Sequence, residues 1–193
     1  MLSRRSLLVS GISLVTVASC GPPTNQPRFP DIRFIDDRTI LLQASRVEIR
    51  TSYRESDIDR GWPVPPVQAV QNWARDRLRA SGVGSVAQFT IIDASAVEKN
   101  LPVKGGISGA LTDQVSQEYD VSLEATLNIV DDHGMVIRGA RATAMRSNGV
   151  RQSASPNERD QVRYDLVKAL MADFDQQMDS QIRDNFGPYL IAR

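Results

Sequence analysis

From Tyr119 to Val130 the side chains alternate without a break. Tyr119, Val121, Leu123, Ala125, Leu127 and Ile129 fall on one side; Asp120, Ser122, Glu124, Thr126 and Asn128 fall on the other. A period of two sustained this long marks a strand with one buried and one wet face. That commits the fold to an antiparallel sheet covered on one side only. Asp131-Asp132-His133-Gly134 supplies a hairpin turn. Met135 to Arg146 returns as the partner strand, and its Ala140, Ala142 and Ala144 are small enough for a helix to approach closely.

That helix is announced by Ser155-Pro156-Asn157-Glu158, a capping box with proline at the first helical position. Val162, Leu166, Val167, Leu170, Met171, Phe174, Met178 and Ile182 give it a continuous apolar stripe, and Phe186-Gly187-Pro188 ends it. A helix of roughly 30 residues spans ~45 Å, so its last two turns, residues 175–185, are expected to overhang the sheet. An earlier helix begins at Pro65 or Pro66, carries Val67, Val70, Ala74 and Leu78 on one face, and stops at Ser81-Gly82-Val83-Gly84. Two more strands read from Thr39 to Tyr53, with a phase reversal that a bulge at Ala44-Ser45 would reconcile, and from Ala87 to Asp93. The expected fold class is α+β: a four-stranded, largely antiparallel sheet with two helices on one face, in the order strand-helix-strand-strand-strand-helix. Val47, Ile49, Val70, Leu78, Phe89, Ile91, Val121, Leu123, Leu127, Leu166 and Leu170 are the expected core.

The N-terminus carries a different signal. Arg4 and Arg5 precede an apolar run from Leu7 to Val17, followed by Ala18-Ser19-Cys20-Gly21. The run is too short to span a bilayer and reads as a secretory signal. Val17-Ala18-Ser19-Cys20 resembles a bacterial lipobox, which implies a diacylglyceryl thioether on Cys20 and cleavage before it. Ser3-Arg4-Arg5-Ser6-Leu7-Leu8 also resembles a twin-arginine signal, so general secretory and folded-protein export both stand open. By resemblance to lipoprotein sorting, Gly21 rather than Asp after the cysteine favours the outer membrane. The chain thus divides into a signal peptide, 1–19, a lipidated tether, 20–38, and a single α+β domain, 39–193.

Cleavage leaves 174 residues, enough for a core without disulfides, and Cys20 is the sole cysteine. The mature part holds 21 basic and 23 acidic residues. This balance leaves no basic footprint for nucleic acid and no polybasic membrane patch. Residues 21–38 are rich in Pro, Asn and Gln, and as an extended tether could reach up to roughly 50 Å. Phe29, Ile32, Phe34 and Ile35 are placed to dock its far end on the domain.

Nothing in the sequence assembles a catalytic, cofactor or metal site. His133 is the lone histidine, in a turn that collects such residues for backbone reasons. Gly105-Gly106-Ile107-Ser108-Gly109 lacks the lysine and hydroxyl of a phosphate loop. It belongs to a long connection, 100–116, whose Leu101, Val103, Ile107 and Leu111 form a possible contact surface. Trp73 borders the core, and Trp62 is open to either an interface or a core role. Met171 and Met178 read as core filling.

Lipobox, proline-rich tether and domain layout together resemble the small outer-membrane accessory lipoproteins: the LPS-assembly (LptE-like) class and the auxiliary lipoproteins of ABC-type lipid transport. The resemblance implies a non-enzymatic, lipid-anchored protein on the periplasmic face of the outer membrane. Such a protein would contact the membrane through the lipid on Cys20 and dock onto an envelope transport or assembly complex through a protein partner. A structural envelope-integrity lipoprotein is the alternative and a periplasmic hydrolase the third reading. Oligomeric state is not legible.

Overall fold

The computed structural model describes residues 29–103 and 113–191. Cys20, the signal peptide, the first part of the tether and the glycine-rich stretch 105–109 lie outside the described residues. Strands β1 (Ile40–Leu42) and β2 (Arg46–Thr51) come first, then helices α1 (Asp57–Arg60) and α2 (Pro66–Arg77). Strands β3 (Leu78–Ala80), β4 (Val86–Asp93), β5 (Ala96–Asn100), β6 (Val115–Val130) and β7 (Val136–Arg151) follow. Helix α3 (Pro156–Phe186) and a 3-10 turn, Gly187–Tyr189, close the described chain.

The fold is α+β, but the expected numbers of strands and helices need correction. The main sheet has five strands rather than four, in the order β2-β4-β6-β5 with β7 on β6, and a separate parallel pair joins β1 to β3. Among the described residues there are three helices, not two. The register explains the extra strand. Val121 pairs with Ala96 on one side and Arg146 on the other, while Leu127 pairs with Phe89 and Ala140. Strands β4 and β5 therefore lie end to end along the same side of β6, separated at Ala94-Ser95, and the sheet is only four strands wide. Strand β5 is short and carries Glu98 and Lys99 among its five residues, so its sequence holds little periodicity to read.

The expected strand from Thr39 to Tyr53 is broken where its phase reverses. Strand β1 pairs parallel with β3 and β2 parallel with β4, with a register offset of two residues between the ladders. At the break Gly82 donates its N–H to the Ala44 carbonyl. A Cβ on Gly82 would sit 2.9 Å from the Gln43 and Ala44 backbone, so only glycine allows this approach. Helix α2 ends at Arg77 rather than near Ser81, because Leu78–Ala80 leave it to pair with β1.

The core lies between the helices and one sheet face. Helix α3 packs chiefly over β7, whose Ala140, Ala142 and Ala144 are buried beneath it. Trp73 of α2 meets Phe89 of β4 at 5.4 Å and Phe174 of α3 at 5.2 Å between ring centroids. Nine of the eleven expected core residues are buried; Val47 is partly covered and Ile49 is 36% exposed, because β2 lies at the sheet edge. The expected overhang of α3 is absent. Met178, Ile182 and Phe186 are buried, and the segment after the helix returns to β1. There the N–H of Gln43 donates to the Tyr189 carbonyl at 2.8 Å and that of Ile191 to Leu41 at 3.0 Å.

Candidate functional site

Two regions remain once the core is accounted for: the stem entering the domain and the open sheet face. The stem, Phe29 to Arg38, docks on the helix layer. Ile32 is buried, Phe29 and Phe34 pack on the core, and Ile35 stays 68% exposed. Phe29 sits 5.2 Å from the Tyr164 ring of α3. Asp76 of α2 fixes the stem, accepting from Arg33 Nη2 at 2.6 Å and Nε at 2.8 Å, and from the Phe34 N–H at 3.0 Å. The Arg33 hydrogen bonds hold the Asp76 carboxyl below its ordinary range against the opposing effect of burial. A few residues on, the Arg38 carbonyl accepts from buried Arg77, which also reaches Asp175 at 2.8 Å and Asp179 at 3.1 Å on α3. Trp73 Nε1 donates to the same Asp175 carboxylate at 2.6 Å. Two charge clusters thus hold this region together: Arg33–Asp76 ties the stem to α2, and Arg77 ties α2 to α3 and to the Arg38 carbonyl.

A second buried carboxylate, Asp59, holds α1 to the sheet. It accepts the Ser56 N–H at 2.6 Å, the Ala96 N–H at 2.7 Å and the Tyr53 hydroxyl. Burial pushes its carboxyl up, but these donors outweigh burial and hold it below the usual range. Burial, followed by the Asp59 carboxylate, drives the Tyr53 phenol well above its ordinary value. The Ser56–Asp59 capping box that starts α1 was present in the sequence, inside a segment expected to be loop.

The open face is built by the polar half of β6 and its neighbours. Glu124 pairs with Arg141, and Lys99 pairs with Asp120. A shallow groove of about 520 Å³ runs across β5, β6 and β7, lined by Ser95, Val97, Lys99, Asp120, Ser122 and Met145 among others. Ser95 and Ser122 hydroxyls lie 2.8 Å apart, and both donate to Asp93. An acyl-transfer site needs a base on such a serine. His133 cannot supply it: Ser122 to Val130 alone spans roughly 27 Å of extended strand, and His133 lies beyond, in the turn. There Asp131 accepts the N–H of His133 at 3.0 Å and of Met135 at 2.8 Å, and Gly134 takes φ 81°. Asp131, Asp132 and His133 bring ligand atoms within 4.8 Å of one another, a proximity that this turn geometry explains.

Trp62 is buried rather than an exposed anchor. It meets Tyr119 edge-on at 5.9 Å, beneath the Arg163 guanidinium, which lies 4.9 Å from the same ring. Trp73, Met171 and Met178 are core residues, as expected. None of the described helices is long and apolar enough to cross a membrane.

Neither a protein-family model nor a curated protein sequence matches the chain. Solved structures do, distantly. A minor lipoprotein from Acinetobacter baumannii matches with 18% identity and a TM-score of 0.41, over 77% of this chain and 96% of that one. The rare lipoprotein B from Shewanella oneidensis matches with 9% identity and a TM-score of 0.40, over 72% and 96%. An uncharacterized lipoprotein B from Nitrosomonas europaea matches with 15% identity and a TM-score of 0.36, over 75% and 86%.

Proposed function

We propose that this protein is a non-enzymatic accessory lipoprotein, anchored by lipid on Cys20 to the periplasmic face of the outer membrane, that docks onto an envelope transport or assembly complex. The observation that carries the reading is the lipobox, Val17-Ala18-Ser19-Cys20, followed closely by a stem that docks on the helix layer. Eight residues lie between Cys20 and Phe29, and the nine Cα-to-Cα steps, fully extended, reach at most about 30 Å. This is shorter than the span expected when residues 21–38 are all taken as free tether. The lipid draws the helix layer toward the bilayer, and the open sheet face, on the opposite side, looks away from it and is the surface that docks onto the complex. Two or more acyl chains give a firm anchor, and confinement to one surface raises the effective concentration near a membrane partner.

A structural envelope-integrity role would be favoured by a helix end that overhangs the domain and is free to pair with another helix. With Met178, Ile182 and Phe186 buried within the domain, that support is gone. Fractionation of cells carrying Cys20→Ala tests the anchor. Release of the protein from the outer-membrane fraction is expected; retention there at the wild-type level would overturn the reading.

A further inference from the structure

The main sheet ends in two very different edges. Strand β7 is long and guarded: Gln177 of α3 reaches over to accept the Thr143 N–H at 2.9 Å, and Arg146 is held by Asp173 of the same helix at 2.7 Å. Arg138, Arg141, Arg146 and Arg151 line it with like charge, which disfavours strand addition. On the other side, β1 is covered by the returning chain, since Leu42 bridges Leu190. From Leu190 to Ile191 the chain runs from Leu42 toward Leu41, away from β2. Among the described residues β2 pairs only with β4.

The orientation of β2 follows from one bond. Ser52 donates its N–H to the Ile91 carbonyl at 2.9 Å, so the even residues of β2 turn their backbone toward β4. Val47, Ile49 and Thr51 therefore turn their N–H and C=O outward. Side chains alternate the other way. Val47 and Ile49 lie on the helix-side face with Ala87 and Phe89. Arg46, Glu48 and Arg50 lie on the open face, where Glu48 bridges the two arginines at 2.6 and 2.5 Å.

We infer that β2 is a homodimer edge, pairing antiparallel with β2 of a second copy about a two-fold axis through Ile49. Charge selects both the partner and the register. Centred on Ile49, the pairing sets Glu48 opposite Arg50 of the other copy and Arg50 opposite its Glu48. Ile49 meets Ile49, and Val47 meets Thr51. Each outward N–H and C=O of Val47, Ile49 and Thr51 finds a backbone partner. Centred on Glu48 instead, the pairing sets Glu48 against Glu48 and Arg46 against Arg50, which is repulsive throughout. The exposed Ile49 side chain is then covered by its own symmetry mate, and the axis runs perpendicular to the sheet, leaving both helix layers on one side. A six-residue edge makes a small interface, in the weak and transient class.

Single-cysteine crosslinking of the full chain reads this register. With Cys20→Ser the chain holds no other cysteine, so the test does not depend on lipidation. Ile49→Cys is expected to form a disulfide dimer on mild oxidation at tens of micromolar protein, because hydrogen-bonded antiparallel pairs lie ~5.5 Å apart between Cα atoms. Val47→Cys alone and Thr51→Cys alone place their thiols too far apart, and a mixture of the two is expected to crosslink. Adding Glu48→Arg to the Ile49→Cys chain is expected to weaken dimerisation by roughly tenfold, and adding Arg50→Glu as well to restore it. An unchanged thermal midpoint shows that each variant folds. Absence of an Ile49→Cys dimer, equal crosslinking at all three positions, or failure of the double charge reversal to restore pairing would overturn the inference.

Discussion

The two faces of β6 share one backbone and serve different ends. Toward the helices Tyr119, Val121, Leu123, Ala125, Leu127 and Ile129 are fully or nearly fully buried; away from them Glu118, Asp120, Ser122, Glu124, Thr126 and Asn128 are half-exposed and polar. One face determines whether the domain folds. The other contributes ion pairs and hydroxyl contacts that add little to stability, so its chemistry can be set by a partner. Met145, 74% exposed, and Val97 are apolar groups that line the groove on this face.

The sharpest way to break the comparison is from the inside. Phe174→Ala removes the ring that meets Trp73 edge-on and is expected to cost about 3–5 kcal/mol in chemical denaturation. Arg77→Ala leaves Asp175 and the Arg38 carbonyl without their buried cation and is expected to cost about 3 kcal/mol, with the stem becoming accessible to protease. Acid comes next. Asp59 and Asp76 both titrate below their ordinary values. Their contribution is therefore complete above the unfolded carboxylate value near ~4 and is lost as pH falls through the folded values. Stability is expected to drop on acidification below about pH 4, and Asp76→Asn to flatten that drop at a cost of about 1–2 kcal/mol at neutral pH. On the open face, Thr126→Ala and Asn128→Ala are expected to stay within about 0.5 kcal/mol of wild type. A larger loss there would mean that this face also supports the fold.

The long elements were legible because their periods persist. Helix α3 and its Ser155–Glu158 capping box stand where the pattern places them, and β6 and β7 contain the expected strands but run four and five residues further, to Val115 and Arg151. What escaped was short. Helix α1 is a single turn, and β5 offers five residues. Leu78 fits helical spacing as well as strand spacing, so β3 became visible only through its pairing with β1. Ile49 has the pattern of a core residue but lies on an edge strand, a position that depends on strand order rather than on local sequence. The same holds for the open-face groove: Ser95, Ser122 and Met145 come together only through the register of β5 and β7 on β6.

The claim that the open face is the docking surface can be tested by site-specific photocrosslinking in native membranes. A photoreactive residue would replace Met145 on the open face, and in a second strain Lys168, exposed on α3. The account predicts repeated capture of one and the same envelope protein from position 145 and no such adduct from position 168. Capture from position 168 alone, or the same random abundant proteins from both, would contradict it.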